Sequence, residues 1–146
     1  MGKLVSETEI KSDGDVFHEI FRYRPHHVFN MSPIVQGCDL IEGEFGTVGS
    51  VIRWRYTHDG KKKVAKQIIQ AIDEEKKSVT FKMIEGDLMK LYNTFIITVH
   101  VDTKGESNLV TWTTEYEKLN ESVEDPNTLM NMFVSLTKDI EAHHLK

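Results

Sequence analysis

Three glycines fall within seven residues at Gly43-Glu44-Phe45-Gly46-Thr47-Val48-Gly49, and such a loop invites a phosphate-binding reading. A phosphate loop sets its glycines between a strand and a helix N-terminus and follows them with Lys-Ser/Thr, because backbone N–H groups and an ammonium must converge on the anion. Here Gly49-Ser50 runs into the alternating strand Val51-Ile52-Arg53-Trp54-Arg55-Tyr56, and no lysine follows. The pattern is that of a stiff turn whose glycines supply backbone freedom. Proton chemistry has four candidate groups: His26, His27, Tyr56 and Lys66. Histidine titrates near neutrality and serves as acid or base when it faces a substrate. The competing reading of His26 and His27 is two half-exposed helix residues. Metal binding by His143-His144 with Glu141, or by His26-His27, meets a geometric objection, since neighbours at i and i+1 point apart on a helix. No metal, cofactor or catalytic residue is therefore assigned. Cys38 is the one cysteine; it has no evident base beside it and reads as a small buried apolar residue.

The elements that must position these groups are set by length and composition. The chain has 146 residues, the length of one domain, here 1–146. A hydrophobic fraction of 39% and a charged fraction of 28% are those of a globular protein with a sizeable core. Formal net charge is -5, which disfavours nucleic acid as a partner. The cluster Lys61-Lys62-Lys63 reads as a solvated hairpin tip. A lone cysteine suits a reducing compartment, the opening residues lack a basic-then-apolar leader, and no apolar run approaches membrane-spanning length. A cytoplasmic protein without membrane insertion is expected, acting as a monomer or weak homodimer.

Strict alternation from Lys3 to Lys11 predicts a strand. Ser12-Asp13-Gly14-Asp15 starts a helix carrying Val16, Phe17, Ile20 and Phe21 at helical spacing, and Pro25 ends it. His26 to Met31 forms a second short helix. Six strands follow, at Ile34–Glu42, Ser50–His58, Lys63–Asp73, Ser78–Glu85, Leu91–Val101 and Asn108–Leu119, separated by turn residues such as Asp59-Gly60-Lys61 and Thr103-Lys104-Gly105-Glu106. The connections are too short for parallel crossovers, so the sheet is antiparallel. After Asp125-Pro126, the residues Leu129, Met132, Phe133, Leu136 and Ile140 recur with period 3.6 and predict a long helix of about 20 residues. The sheet is the available surface on which to bury that stripe.

Bulky apolar residues occupy one face of the strands, while Arg53, Arg55, Lys82, Thr98, Thr111 and Glu115 occupy the other. Seven strands are many for one helix to cover. A curved sheet gripping the helix would leave a cavity, with Tyr56, Lys66, Gln70, Thr114 and Thr137 as polar anchors; the alternative is a fully packed core. Strand parity and the helix stripe give the expected lining as His26, Phe29, Ile34, Trp54, Tyr56, Phe81, Met83, Phe95, Ile97, Trp112, Met130, Phe133, Val134 and Thr137. A one-residue slip would turn a strand's whole set outward.

The segments Gly37-Cys38-Asp39-Leu40, Glu42 to Ser50, His58-Asp59-Gly60-Lys61, Asp73-Glu74-Glu75-Lys76-Lys77, Ile84-Glu85-Gly86-Asp87-Leu88-Met89 and Glu115 to Glu121 hold their order and spacing along the whole chain. In these the chain resembles the major latex protein branch of the birch-pollen-allergen superfamily, the pathogenesis-related class ten proteins. The resemblance implies an α+β helix-grip (START-like) fold: a seven-stranded curved antiparallel sheet around a long C-terminal helix, with two short helices after the first strand. It implies a plant defence or stress protein that holds small hydrophobic ligands such as steroids, flavonoids, alkaloids, hormones or fatty acids. It also implies an alternative, an isomerase or cyclase of specialised metabolism. Gly43, Gly46 and Gly49 fall on the superfamily's glycine-rich loop. The ribonuclease activity proposed for the superfamily invokes a lysine and two glutamates; Ile52, Leu91 and Glu141 stand at those positions, and with two of the three missing that activity is disfavoured.

Overall fold

The computed structural model describes residues 2–104 and 107–144. Strand β1 (Gly2–Ile10) is followed by helix α1 (Gly14–Tyr23) and a 3-10 helix (Pro25–Asn30). Then come β2 (Val35–Glu42), β3 (Val51–His58), β4 (Lys61–Asp73) and β5 (Ser78–Gly86). A second 3-10 helix (Asp87–Lys90) leads to β6 (Tyr92–Lys104), β7 (Ser107–Lys118) and helix α2 (Asn127–His144). The strands form one sheet in the order β1-β7-β6-β5-β4-β3-β2, every pair antiparallel, with β1 and β2 at its edges. This is the gripped-helix architecture that the periodicities predict. The tip of the turn expected at Thr103-Lys104-Gly105-Glu106 lies outside the described residues.

Local chemistry explains the elements. Asp13 caps α1 by accepting the Asp15 N–H at 2.8 Å, and Asp15 sits in the first turn where the helix dipole favours an anion. Phe17, Ile20 and Phe21 form its buried face. Pro25 fits the first turn of the 3-10 helix, where its missing N–H is not needed. Register shifts interrupt β2–β3, β4–β5 and β6–β7, and bulges of this kind bend a sheet around whatever it encloses.

Three details differ from the sequence expectation. Lys61, Lys62 and Lys63 are strand residues: the β3–β4 hairpin is closed by Asp59 and Gly60 alone, both with positive φ. The segment after Gly86 folds as a 3-10 helix rather than a bare turn, and its Leu88 is buried. In β4, the inward residues are Ala65, Gln67 and Ile69, while Lys66 pairs with Glu85 at 3.6 Å and Gln70 is exposed. Apolar residues occur on both parities of this strand, as Val64 and Ile68 on one and Ala65 and Ile69 on the other, so alternation could not choose the face.

Helix α2 spans about 27 Å and is tied along its length. Near its start, His58 Nε2 and Thr128 Oγ1 are 2.8 Å apart. At mid-helix, Trp112 Nε1–H donates to Thr137 Oγ1 at 2.8 Å, and the Thr137 hydroxyl donates to the Phe133 carbonyl at 2.8 Å. Towards its end, the Ser32 hydroxyl donates to Asp139 at 2.6 Å and the Lys11 N–H donates to Glu141.

Candidate functional site

Helix α2 does not fill the concavity. A cavity remains between its Leu129, Met132, Phe133 and Leu136 and the inner faces of the central strands. Its volume is about 60 Å³, more than one water requires. Of the expected lining residues, Trp54, Tyr56, Phe81, Met83, Ile97, Trp112 and Phe133 converge on it. Phe21, Val35, Ala65, Gln67 and Leu88 complete the wall. Leu129, Met132 and Leu136 were visible in the helix stripe and Phe21 in the first helix, but periodicity marks what is buried and not which part of it faces a void. Leu88 belongs to the 3-10 helix and had no sequence signal.

The remaining expected positions lie elsewhere. Phe29 is 49% exposed, because the tight 3-10 turn buries Pro25 and Val28 and turns Phe29 outward. Ile34 precedes β2 in a turn, and the first inward residue of that strand is Val35. Val134 is half-buried beside the cavity-facing stripe, which runs through Met132 and Phe133. Phe95 is fully buried but packs on Tyr92 and Tyr116, with ring centroids 5.0 and 6.2 Å away. The Met130 sulfur accepts the Thr114 hydroxyl at 3.4 Å, and Thr137 is spent on Trp112, so both belong to the packed layer beside the cavity. His26 is half-buried and stacks on Phe45 of the glycine loop at 4.2 Å, outside the cavity wall.

That loop is pinned at several points. Gly43, Gly46 and Gly49 all have positive φ. Three of its N–H groups are engaged: Thr47 donates to Glu44, Ser50 to Thr47, and Gly49 to the Ile69 carbonyl at 2.8 Å. A Cβ on Gly46 would lie 2.4 Å from the Tyr23 ring of α1. Loop and helices therefore meet at two contacts, Gly46 on Tyr23 and Phe45 on His26.

Two polar side chains line the cavity. Gln67 accepts the Trp54 indole N–H at 3.0 Å. Tyr56 is 5% exposed and its hydroxyl has no hydrogen-bond partner. Burial, helped by the Asp87 carboxylate, holds the Tyr56 phenol well above its ordinary range, so it stays a neutral O–H donor. Burial likewise pushes the Cys38 thiol up to about 12, leaving it neutral as its core setting requires. Burial first, then His27 and Arg24, lowers the His26 imidazole. Among the described residues, no three His, Cys, Asp or Glu side chains gather as metal ligands, and no helix is long and apolar enough to cross a membrane.

His58 couples this region to pH. Its Nδ1 accepts from the Lys63 ammonium at 3.1 Å, so the ring proton sits on Nε2 and is donated to Thr128. Burial first, and Lys63 second, lower its pKa below the ordinary 6.5, against a smaller upward pull from Asp59. A depressed histidine pKa means that the unfolded chain takes up the proton first. Its contribution to stability is complete above pH 6.5 and is lost as pH falls through that value towards the folded-state pKa. Thermal unfolding of the wild type is expected to move to lower temperature as pH falls below 6.5, and less steeply in His58→Gln, which keeps a donor and an acceptor but does not titrate. Equal slopes in the two proteins would remove His58 from the account.

The sequence pattern of the pathogenesis-related protein Bet v 1 family matches residues 1–146. MLP-like protein 28 of Arabidopsis thaliana is 48% identical over 148 residues, covering 99% of this chain and 44% of that protein. MLP-like protein 43 of the same plant is 47% identical, covering 99% of this chain and 94% of its own length. The chain thus spans about half the length of MLP-like proteins 28 and 34. The crystal structure of ginseng major latex-like protein 151 from Panax ginseng superposes with a TM-score of 0.97 at 61% identity, covering 99% of this chain and 98% of that one. Norcoclaurine synthase from Thalictrum flavum, in complex with dopamine and hydroxybenzaldehyde, shares the fold with a TM-score of 0.72 at 20% identity, over 97% of this chain and 87% of that one.

Proposed function

The chain belongs to the pathogenesis-related protein Bet v 1 family, in its major latex protein branch, and from that premise we propose that it binds and carries small hydrophobic molecules between α2 and the sheet. The observation that carries this reading is the cavity: apolar apart from Tyr56 and Gln67, it occupies the place where the two layers would otherwise pack solid. A guest losing about 200 Å² of apolar surface to water gains roughly 5 kcal/mol, before the cost of immobilising it. Larger guests require the wall to give, and Met83 and Met132 supply unbranched, adaptable side chains for that. The description of the family as pathogenesis-related supports service in plant defence or stress, with residues 1–146 acting as one ligand-binding unit.

Carriage is favoured over catalysis on the guest. Among the lining residues Tyr56 is the one with an acid–base group of ordinary range below Arg, and burial keeps it protonated. The likeness to norcoclaurine synthase speaks for the fold alone.

Titration with the neutral fluorophore 1-aminoanthracene tests the reading. Saturable one-site binding is expected, with no consumption of the probe. Ala65→Leu fills the cavity from β4, and it is expected to weaken binding at least about tenfold while costing about 1–3 kcal/mol of stability from overpacking. Absence of saturable binding to the wild type, or equal binding by a folded Ala65→Leu protein, would sink the proposal.

A further inference from the structure

We infer that the cavity selects neutral guests that carry a hydrogen-bond-accepting oxygen, with Tyr56 as the residue that makes the selection and Gln67 on the neighbouring strand as a second donor. This rests on the cavity being a ligand site, as proposed above.

The buried aromatic donors of the core are otherwise paired. Trp54 donates to Gln67 and Trp112 to Thr137. The Tyr92 hydroxyl donates to the Glu124 carbonyl at 2.8 Å, and the Tyr116 hydroxyl to Asp125 at 2.7 Å. Tyr56 stands apart: it is as buried as these residues, it lines the cavity, and its hydroxyl has no partner. The carboxylate that influences it, Asp87, is engaged by the Val64 N–H at 2.8 Å. The hydroxyl lies in the wall with almost no surface open to the void, so a guest reaches it only as the wall gives. Native interiors rarely leave a buried hydroxyl unpaired, and an unpaired one on a residue of a cavity wall is a donor kept for something that enters.

Gln67 is oriented in the same sense. An indole N–H is donor only, so its contact fixes the carbonyl oxygen of Gln67 against Trp54 and leaves the NH₂ as the free end of the amide. The wall then offers two donor groups without a protein acceptor, the Tyr56 O–H and the Gln67 NH₂. It also contains no charged side chain, so a cationic or anionic group brought against it would be desolvated without compensation. Together these features ask for a ketone, ester, ether or hydroxyl oxygen on an otherwise apolar body. A pure hydrocarbon would fill the same space and leave the phenol unpaired.

Acetophenone and ethylbenzene have nearly the same shape and differ by a carbonyl oxygen; each exceeds the roughly 60 Å³ open in this structure, so both demand the same yielding of the wall. Their dissociation constants can be measured by calorimetric titration on the wild type and on Tyr56→Phe. The ratio of the ethylbenzene constant to the acetophenone constant is expected to fall about tenfold in the variant, the size of one buried hydrogen bond. An unchanged ratio, with both molecules binding, overturns the selection by Tyr56 and leaves the cavity reading intact. Failure of both molecules to bind the wild type overturns the cavity reading and this inference with it. A second measurement needs no variant: the infrared carbonyl stretch of carbon-13-labelled acetophenone bound to the wild type should lie below its value in hydrocarbon solvent. A stretch at its value in hydrocarbon solvent would equally overturn the inference.

Discussion

Phe133→Ala is expected to lower the stability of the protein by about 3–5 kcal/mol, the range for deleting a buried phenyl ring. Phe133 is 6% exposed, and its ring lies parallel to Trp112, with centroids 4.5 Å apart and planes 11° apart. The void left behind cannot easily collapse. Trp112 is held from the side by Thr137, and Phe133 already borders the cavity, so its removal enlarges an existing space. Urea unfolding should show a lower midpoint with an unchanged slope. Excess toluene should then restore part of the loss in the variant, by mass action on the folded state alone. A destabilisation below about 1 kcal/mol would mean that α2 does not form the wall in the way described.

Gly86→Ala is expected to cost about 3 kcal/mol or more and to abolish probe binding. Gly86 has φ 131° and ψ −171°, a region that only glycine occupies without strain. A Cβ there would stand 2.3 Å from the Val64 carbonyl oxygen and 3.0 Å from the Ala65 Cα. Both obstacles are backbone of β4, which cannot swing aside as a side chain would. The displacement would pass directly to Ala65 and to Leu88, two residues of the cavity wall. Gly49→Ala offers the contrast: its φ is 93°, but nothing lies within 4 Å of the added methyl, so strain alone remains, worth about 1–2 kcal/mol. Equal losses in the two variants, measured by denaturant unfolding, would show that the clash with β4 is relieved.

The order of elements was legible in the sequence because each was marked twice, by periodicity and by its ends. Asp13 and Pro25 bracket α1; Asp59-Gly60 closes β3 on β4; Pro126 precedes α2. The dry face was legible in β3, β5, β6 and β7, where bulky residues alternate with charged or hydroxyl ones, as Trp54 and Tyr56 do with Arg53 and Arg55. It was not legible in β4, whose apolar residues fall on both parities, and there Gln67 replaced Lys66 and Gln70 as the inward polar group. Nor could the sequence separate residues that face the void from residues packed beside it. Phe95, Met130 and Thr137 are as buried as Phe81 and Phe133, and only three-dimensional placement tells them apart. His26 illustrates a third limit: its partner Phe45 is nineteen residues away, and no local rule pairs them.

The closing of the cavity by α2 also has a consequence for how the protein is made. Synthesis runs from N-terminus to C-terminus, and α2 follows all seven strands in that order. Until residues 127–144 have emerged, Trp54, Phe81, Ile97 and Trp112 have no helix to face. The nascent chain therefore presents an unprotected apolar concavity beside two open sheet edges, the kind of surface that chaperones shield and that self-associates when they do not. On the proposed reading, a guest can be enclosed only once residues 127–144 have docked, and a chain stalled short of them would be an aggregation hazard.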